Sequence, residues 1–131
     1  MTGSAATVLA ALEGAGLPID VAAAGKVAAF LDLLLRRNEV VNLVSRKEAT
    51  VETLLARHVL DALEGLRLLP IPAGRPLRLL DIGSGGGFPA IPLLLARGDL
   101  EGVLVESTGK KARFLEEAIG ALELTARVVN A

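Results

Sequence analysis

The stretch DIGSGGGFPAIP, residues 81–92, decides how the fold of this chain is interpreted. It holds four glycines and two prolines between an apolar run and a helix-like run. A glycine loses more backbone freedom on folding than any other residue, so a loop this rich in glycine is costly to order. The stretch therefore predicts a loop whose bare backbone is approached closely by a ligand.

Short apolar runs on both sides of this loop predict β-strands. Residues 77–82 end in the loop, residues 103–105 form a second run, and residues 127–129 form a third. Each run is too short for a helix, and helical patterns separate them. The alternation predicts a parallel sheet with right-handed crossovers, the doubly wound α/β class.

Two helices are predicted between these strands. Pro92 cannot sit deep in a helix, so the helix through 93–97 begins within the few residues before it, which leaves 84–88 as loop. The second helix covers about 110–122 and has Ser107 or Thr108 in position to cap it.

The residues before the sheet, 1–69, are expected to be helical. Runs begin at Ala5, cover 20–37 and cover 45–66, where Ser45 and Glu48 form a capping-box pattern. The proline-rich segment PIPAGRP, 70–76, predicts a linker. The helices carry strong apolar stripes, so we expect them to pack on the α/β part, 77–131, instead of forming an independent domain.

Composition limits the class of protein. A length of 131 residues fits one domain, and 14 basic against 15 acidic residues give no basic excess for indiscriminate nucleic-acid binding. The chain has no Cys, so it offers no disulfide, thiolate metal site or cysteine nucleophile, and we expect no metal. No secretion signal or membrane span is evident, which predicts a soluble cytoplasmic protein.

The spacing of acidic residues and glycines indicates the ligand. The dinucleotide fingerprint fails because Phe88 stands where its last glycine belongs, whereas Asp-x-Gly-x-Gly-x-Gly fits from Asp81. A carboxylate there disfavours a pyrophosphate and favours a cation, and Glu106, 23 residues after Gly83, suits ribose hydroxyls. S-adenosylmethionine carries both a sulfonium and a ribose. The alternative is a tight turn capped by Asp81 with Glu106 as a solvated strand end.

Four segments resemble the RsmG (GidB, glucose-inhibited division protein B) methyltransferases, which form 7-methylguanosine in bacterial small-subunit (16S) ribosomal RNA. They are RRNEVVNLVS (36–45), RHVLDAL (57–63), DIGSGGGFPAIPL (81–93) and ESTGKKARFLEE (106–117). The resemblance covers about 20–131 and implies the N-terminal part of a class I, Rossmann-like methyltransferase. The chain departs from the family at Arg37 and Val41, where Trp and Tyr are usual.

The resemblance places the cofactor on the glycine loop and at the end of the second strand. It implies that Gly83 and Phe88 line the site, and that Glu106 stands where the family has its ribose-binding acid, often Asp. Together with the pattern of residues, this gives the expected S-adenosylmethionine site: Asp81, Gly83, Ser84, Gly85, Gly87, Phe88, Glu106 and Ser107.

The implied reaction needs little chemistry from side chains. Guanine N7 has a free in-plane lone pair, so its methylation requires no proton abstraction, and we assign no catalytic residue. The expected partner is small-subunit ribosomal RNA or the 30S subunit. The candidate RNA contacts, each with a solvated or core role as its alternative, are Arg57, His58, Lys110, Lys111 and Arg113.

His58 lies on the apolar stripe of its helix, where a lone histidine is more often a hydrogen-bonded core residue than a catalytic one. We expect Asp61, one turn further on, to be its partner.

The resemblance also implies that family members continue beyond the position of Ala131. We therefore expect the 131-residue chain by itself to self-associate through the edge of its third strand, to bind the cofactor weakly and to transfer no methyl group. The alternative function is an inactive nucleoside-binding or interaction fragment of that family.

Overall fold

Two capped helices open the described part of the chain. The computed structural model describes residues 4–17, 19–70 and 74–131. Helix α1 spans Ala5–Gly14 and helix α2 spans Val21–Val41. The Asp20 carboxylate accepts a hydrogen bond from the Ala23 amide at 2.7 Å, which satisfies an amide that no helical carbonyl can reach. The predicted start of the second helix is confirmed, whereas its end lies beyond the predicted residue 37.

Residues 46–68 form a third helical segment of mixed geometry. Its parts in chain order are a 3₁₀ turn Arg46–Glu48, helix α3 Val51–Thr53, a π-helical turn Leu54–Val59, helix α4 Leu60–Glu64 and a 3₁₀ turn Gly65–Leu68.

The third segment begins where predicted, but the predicted capping box is wrong. The Ser45 side chain caps no amide and donates to the Glu48 carboxylate at 3.1 Å, so the capping box does not form. Thr50 is the N-cap instead, since its hydroxyl oxygen accepts from the Thr53 amide at 3.2 Å. The Glu48 carboxylate, which the capping box requires, contacts the His58 ring instead.

Three strands form a parallel, Rossmann-like sheet in the order β1, β2, β3. Their bounds are Leu77–Ile82, Leu100–Glu106 and Ala126–Asn130. The first strand is confirmed as predicted, and the other two extend beyond the predicted 103–105 and 127–129. The fold class is therefore the one that the sequence predicts.

Helix α5, Ala90–Ala96, follows β1 and begins two residues before Pro92, as predicted. Helix α6, Gly109–Leu122, follows β2, and Thr108 occupies its N-cap position without a side-chain hydrogen bond. Residues 84–88 are non-helical, which confirms the predicted loop.

Helix α2 joins the leading helices to the α/β part. Its side chains share one hydrophobic cluster with α5, α6 and the sheet. The Lys26 ammonium donates to the Leu122 carbonyl at 2.9 Å, and the Arg37 guanidinium holds Glu117 through two hydrogen bonds of 2.8 and 2.7 Å. Residues 71–73 of the predicted linker lie outside the described residues.

The two faces of the sheet differ in cover. Leu104 on β2 is fully buried beneath the helices, whereas Leu80 and Ile82 on β1 are 63% and 75% exposed. Within the described residues, one face of the sheet is therefore packed and the other is open.

Candidate functional site

The glycine loop, defined as residues 81–88, turns sharply at the carboxyl end of β1. Gly83, Gly85 and Gly87 have φ of +78°, +52° and +96°, a region that side chains other than glycine rarely adopt. The Gly83 amide donates to the Val105 carbonyl at 2.8 Å, which fastens the loop to β2. Three of its glycines are thus required by backbone conformation.

One end of the loop is crowded and the other is open. A Cβ added at Gly87 would lie 2.7 Å from Ile91 Cδ1, and one added at Gly86 would lie 3.3 Å from the Leu43 carbonyl oxygen. A Cβ at Gly83 would meet nothing within 4 Å. Close packing therefore explains Gly86 and Gly87, while Gly83 leaves space beside the strand end.

Glu106, the last residue of β2, holds the glycine loop through a backbone amide. Its carboxylate accepts the Gly85 amide at 2.7 Å and the Thr108 amide at 3.0 Å, and the residue is 6% exposed. These backbone hydrogen bonds, first that of Thr108, hold the pKa of Glu106 below its ordinary value. The carboxylate is therefore ionised and structurally engaged, so the alternative of a solvated strand end is wrong.

Asp81 lies near the end of β1, and one oxygen of its carboxylate lacks a hydrogen-bond partner in the part of the chain that the structure describes. Its Oδ2 is buried and accepts no hydrogen bond from the described residues. Burial raises the pKa of Asp81 above its ordinary value, and the neighbouring Glu106 charge adds to the rise. An unpartnered buried carboxylate oxygen is an acceptor left available beside the space at Gly83.

The remaining predicted cofactor residues surround these two acids. Ser84 is buried, and its hydroxyl donates to the Asp81 carbonyl at 3.2 Å. Ser107 is exposed, and its carbonyl accepts from the Asn130 amide group at 3.1 Å. Phe88 packs edge-on against Phe30, with ring centroids 5.5 Å apart. The structure thus gathers the predicted set along the loop and the end of β2.

The predicted partner of His58 is wrong. Its Nε2 lies 2.8 Å from Glu48 Oε2, ten residues earlier in the chain, and not on Asp61. The π-helical turn at 54–59 changes the angular spacing of side chains, so the one-turn rule does not apply there. The ring also packs against Phe88, with centroids 5.2 Å apart, which places His58 at the end of the glycine loop.

The basic candidates for RNA contact lie on two elements. Arg57 is exposed on the π-helical turn, and Lys110 and Arg113 are exposed in the first part of α6. Lys111 is half-buried, and its charge helps to lower the pKa of Glu106. Among the described residues, none of these four cations forms a salt bridge.

The motif RRNEVVNLVS is explained by the end of α2. Asn42 adopts the left-handed conformation, φ +56°, that closes the helix, and the Asn38 side chain accepts from the Leu43 and Val44 amides at 2.7 and 2.8 Å. A cavity of about 1110 Å³ opens beside this turn, and its lining includes Arg36 and Arg46 together with acidic residues. No sequence pattern predicts this cavity, because helix ends alone do not indicate one.

The described residues contain neither a metal-binding cluster nor a membrane-spanning helix. Across 4–17, 19–70 and 74–131, no cluster of three or more His, Cys, Asp or Glu side chains is placed to hold a metal ion. None of the helices in the same ranges has the length and apolarity to cross a bilayer.

Comparison with known proteins identifies similar sequences. Residues 23–131 match the family model GidB, described as rRNA small subunit methyltransferase G. Proteins named ribosomal RNA small subunit methyltransferase G are 45% identical over 101 residues in Acidiphilium cryptum and 44% identical over 115 residues in Sorangium cellulosum. These matches cover 77% and 87% of this chain, and 45% and 46% of the relatives. The chain spans about half the length of the curated relatives it matches.

Proposed function

Since the chain belongs to the GidB family of rRNA small subunit methyltransferase G, we propose that it holds the methyl donor of such an enzyme. The donor is S-adenosylmethionine, and the product of the whole protein is 7-methylguanosine in small-subunit ribosomal RNA. A bacterial ribosomal substrate also implies a cytoplasmic location.

The unpartnered Oδ2 of Asp81 is the observation that carries this proposal. A buried acceptor without a donor costs stability unless a ligand supplies one. The methionine part of the donor carries an ammonium and a sulfonium, both cations that suit an acidic group. The space beside Gly83 gives such a ligand access to the backbone.

Glu106 is proposed to hold the ribose while it braces the loop. An ionised carboxylate has about four lone-pair positions, and the Gly85 and Thr108 amides use two of them. The remaining positions accept ribose hydroxyls. Both roles depend on the same ionised state, which the lowered pKa of Glu106 maintains at neutral pH.

The protein residues contribute positioning to the reaction. S-adenosylmethionine supplies an electrophilic methyl group, and guanine N7 supplies a lone pair, so no general base is required. The rigid glycine loop fixes the place of the donor relative to Phe88. Correct placement of two reactants supplies a large share of the rate in such a case.

We further propose that Arg57, Lys110, Lys111 and Arg113 contact RNA phosphates. None of them forms a salt bridge in the described residues, and three are exposed. Phosphate contacts from such cations orient an RNA without reading its sequence. Self-association of the chain stays a prediction, which sedimentation over a range of concentrations checks.

Calorimetry with the 131-residue chain tests donor binding directly. We expect heat and one-to-one binding with S-adenosylmethionine and none with NAD, whose pyrophosphate meets the Asp81 carboxylate. Absence of binding to S-adenosylmethionine at millimolar concentration would overturn the proposal.

Methyl transfer is tested with undermethylated small ribosomal subunits and labelled S-adenosylmethionine. The whole protein is expected to form 7-methylguanosine, whereas the 131-residue chain is expected to bind the donor without turnover. Donor binding without any methylation by the whole protein would favour the alternative of a nucleoside-binding or interaction protein.

A further inference from the structure

The π-helical turn at Leu54–Val59 holds two residues whose role the cofactor site does not explain. Such turns are rare and interrupt the regular hydrogen-bond ladder of an α-helix, and they are frequently found at functional sites. This one carries Arg57 and His58. Its position next to the glycine loop raises the question of what the imidazole does there.

The Glu48 carboxylate determines which nitrogen of His58 carries a hydrogen. His58 Nε2 lies 2.8 Å from Glu48 Oε2, and the Ser45 hydroxyl donates to Oε1 at 3.1 Å. These two hydrogen bonds, first that of His58, lower the pKa of Glu48, so the carboxylate is ionised and can only accept. Nε2 must therefore carry the hydrogen.

The other ring nitrogen, Nδ1, is then an acceptor in the neutral imidazole. No hydrogen bond to Nδ1 is formed by the described residues, and the side chain is 27% exposed. The ring lies against Phe88, which follows the last glycine of the loop. A fixed acceptor thus stands at the end of the loop that is proposed to hold the methyl donor.

The methyl acceptor must come within about 3–3.5 Å of the donated methyl group for the transfer to occur. A base taken out of its stack is read through its Watson–Crick edge and packs on aromatic side chains. At position 1 of its Watson–Crick edge guanine presents N1–H as a donor, whereas adenine presents N1 as an acceptor beside its 6-amino donor. A fixed acceptor opposite position 1 therefore favours guanine, because adenine would leave two acceptors facing each other there.

We propose that His58 recognises the target guanine, with Nδ1 accepting from its N1–H and Glu48 holding the ring in the required tautomer. This assignment rests on the proposed function and adds the residue that selects the base. His58 acts by contact with the substrate and Glu48 is a positioning residue.

The first test is the tautomer itself. His58 is the only histidine in the sequence, so ¹⁵N imidazole signals of the labelled chain belong to it alone. At about pH 8 we expect the signals of the Nε2–H form, because the ionised Glu48 carboxylate accepts from Nε2. Glu48→Gln should shift the population toward Nδ1–H, since an amide can donate to Nε2. An Nδ1–H tautomer in the unmodified chain would overturn the proposal.

The second test uses guanosine, inosine and adenosine 5′-monophosphates, followed by the His58 ¹⁵N signals and by Kd. Guanosine and inosine monophosphates, which both carry N1–H, should move the Nδ1 signal and bind about tenfold more tightly than adenosine monophosphate, the effect of one hydrogen bond. Equal affinities, or no binding at millimolar concentration, would overturn the proposal.

Variants separate recognition from a structural role. His58→Ala should remove the preference for guanine, whereas His58→Asn, whose Oδ1 can accept in place of Nδ1, should retain part of it. Asp61→Asn, on the same helical segment, is the matched control and should leave the preference unchanged. A preference that persists in His58→Ala contradicts the assignment. Because these experiments contain no methyl donor, their failure is distinct from failure to bind S-adenosylmethionine.

Discussion

The two sides of the glycine loop differ in whether the protein itself satisfies their polar groups and fills the space beside them. On the braced side, Glu106 accepts two backbone amides and Gly87 packs tightly on Ile91. On the open side, the buried Oδ2 of Asp81 has no partner in the described residues, and Gly83 has free space beside it. The fold thus satisfies one side from within and leaves the other in need of a ligand.

The largest expected effect comes from adding a methyl group on the braced side. Gly87→Ala combines left-handed backbone strain with a Cβ 2.7 Å from Ile91 Cδ1, and should cost about 2–4 kcal/mol of unfolding free energy. Gly83→Ala carries the strain alone and should cost about 1–2 kcal/mol. Urea unfolding of both variants measures the difference, and equal losses would show that the two sides do not differ in packing.

The next largest effect concerns the brace itself. Glu106→Ala removes a carboxylate that holds the loop and is proposed to bind ribose, and should weaken S-adenosylmethionine binding by about 1.5–3 kcal/mol, or one to two powers of ten in Kd. Glu101→Ala, on the same strand, is the matched control and should leave calorimetric affinity unchanged. Unaltered affinity in Glu106→Ala would exclude Glu106 from the site.

On the open side, removal of the carboxylate charge should stabilise the free protein. Asp81→Asn removes a charge that burial and the neighbouring Glu106 disfavour, so the Tm should rise while S-adenosylmethionine affinity falls about tenfold, the effect of losing one charged hydrogen bond. Asp99→Asn is the control of opposite sign, because Arg97 donates to that carboxylate at 2.9 Å and holds its pKa low. A lower Tm in Asp81→Asn would mean that the open side is already satisfied.

The smallest effect is the opposite pH dependence of the two acids. The pKa of Glu106 is lowered from 4.5, so its contribution to stability is present above pH 4.5 and is lost as the pH falls through its folded pKa. The pKa of Asp81 is raised from 3.8, so its ionisation reduces stability as the pH rises from 3.8 through its folded pKa.

Unfolding curves at several pH values should therefore differ between two variants. The deficit of Glu106→Gln should shrink in acid, and the gain of Asp81→Asn should vanish there. Parallel curves for both variants would contradict the assigned pKa directions.

The sequence allowed the strand ends to be predicted because local patterns determine them. Leu77–Ile82 is a mostly apolar run that contains only Arg78 and Asp81 as charged residues. Asp81 and Glu106 lie at the ends of neighbouring parallel strands. Residues 100–102 were missed because Glu101 and Gly102 interrupt the apolar pattern of β2.

The wrong predictions for the third helical segment concern the capping box and the partner of His58. They arise from contacts and backbone geometry that local sequence patterns do not indicate. Glu48 pairs with His58 across ten residues, and this competes with the capping box that local spacing favours. The π-helical turn leaves no signal in hydrophobic periodicity, so regular helical spacing wrongly predicts Asp61 as the partner of His58. The pairing of Arg37 with Glu117 joins residues 80 positions apart, which no local pattern indicates.

The aromatic row from Phe114 through Phe30 and Phe88 to His58 has an optical consequence. The chain has no Trp or Tyr, and these three rings are all of its phenylalanines. The protein therefore absorbs almost no light in the near ultraviolet, where adenosine and guanosine absorb strongly. Circular dichroism induced in a bound nucleoside appears against a nearly dark background, and the weak phenylalanine bands report the packing of this single row.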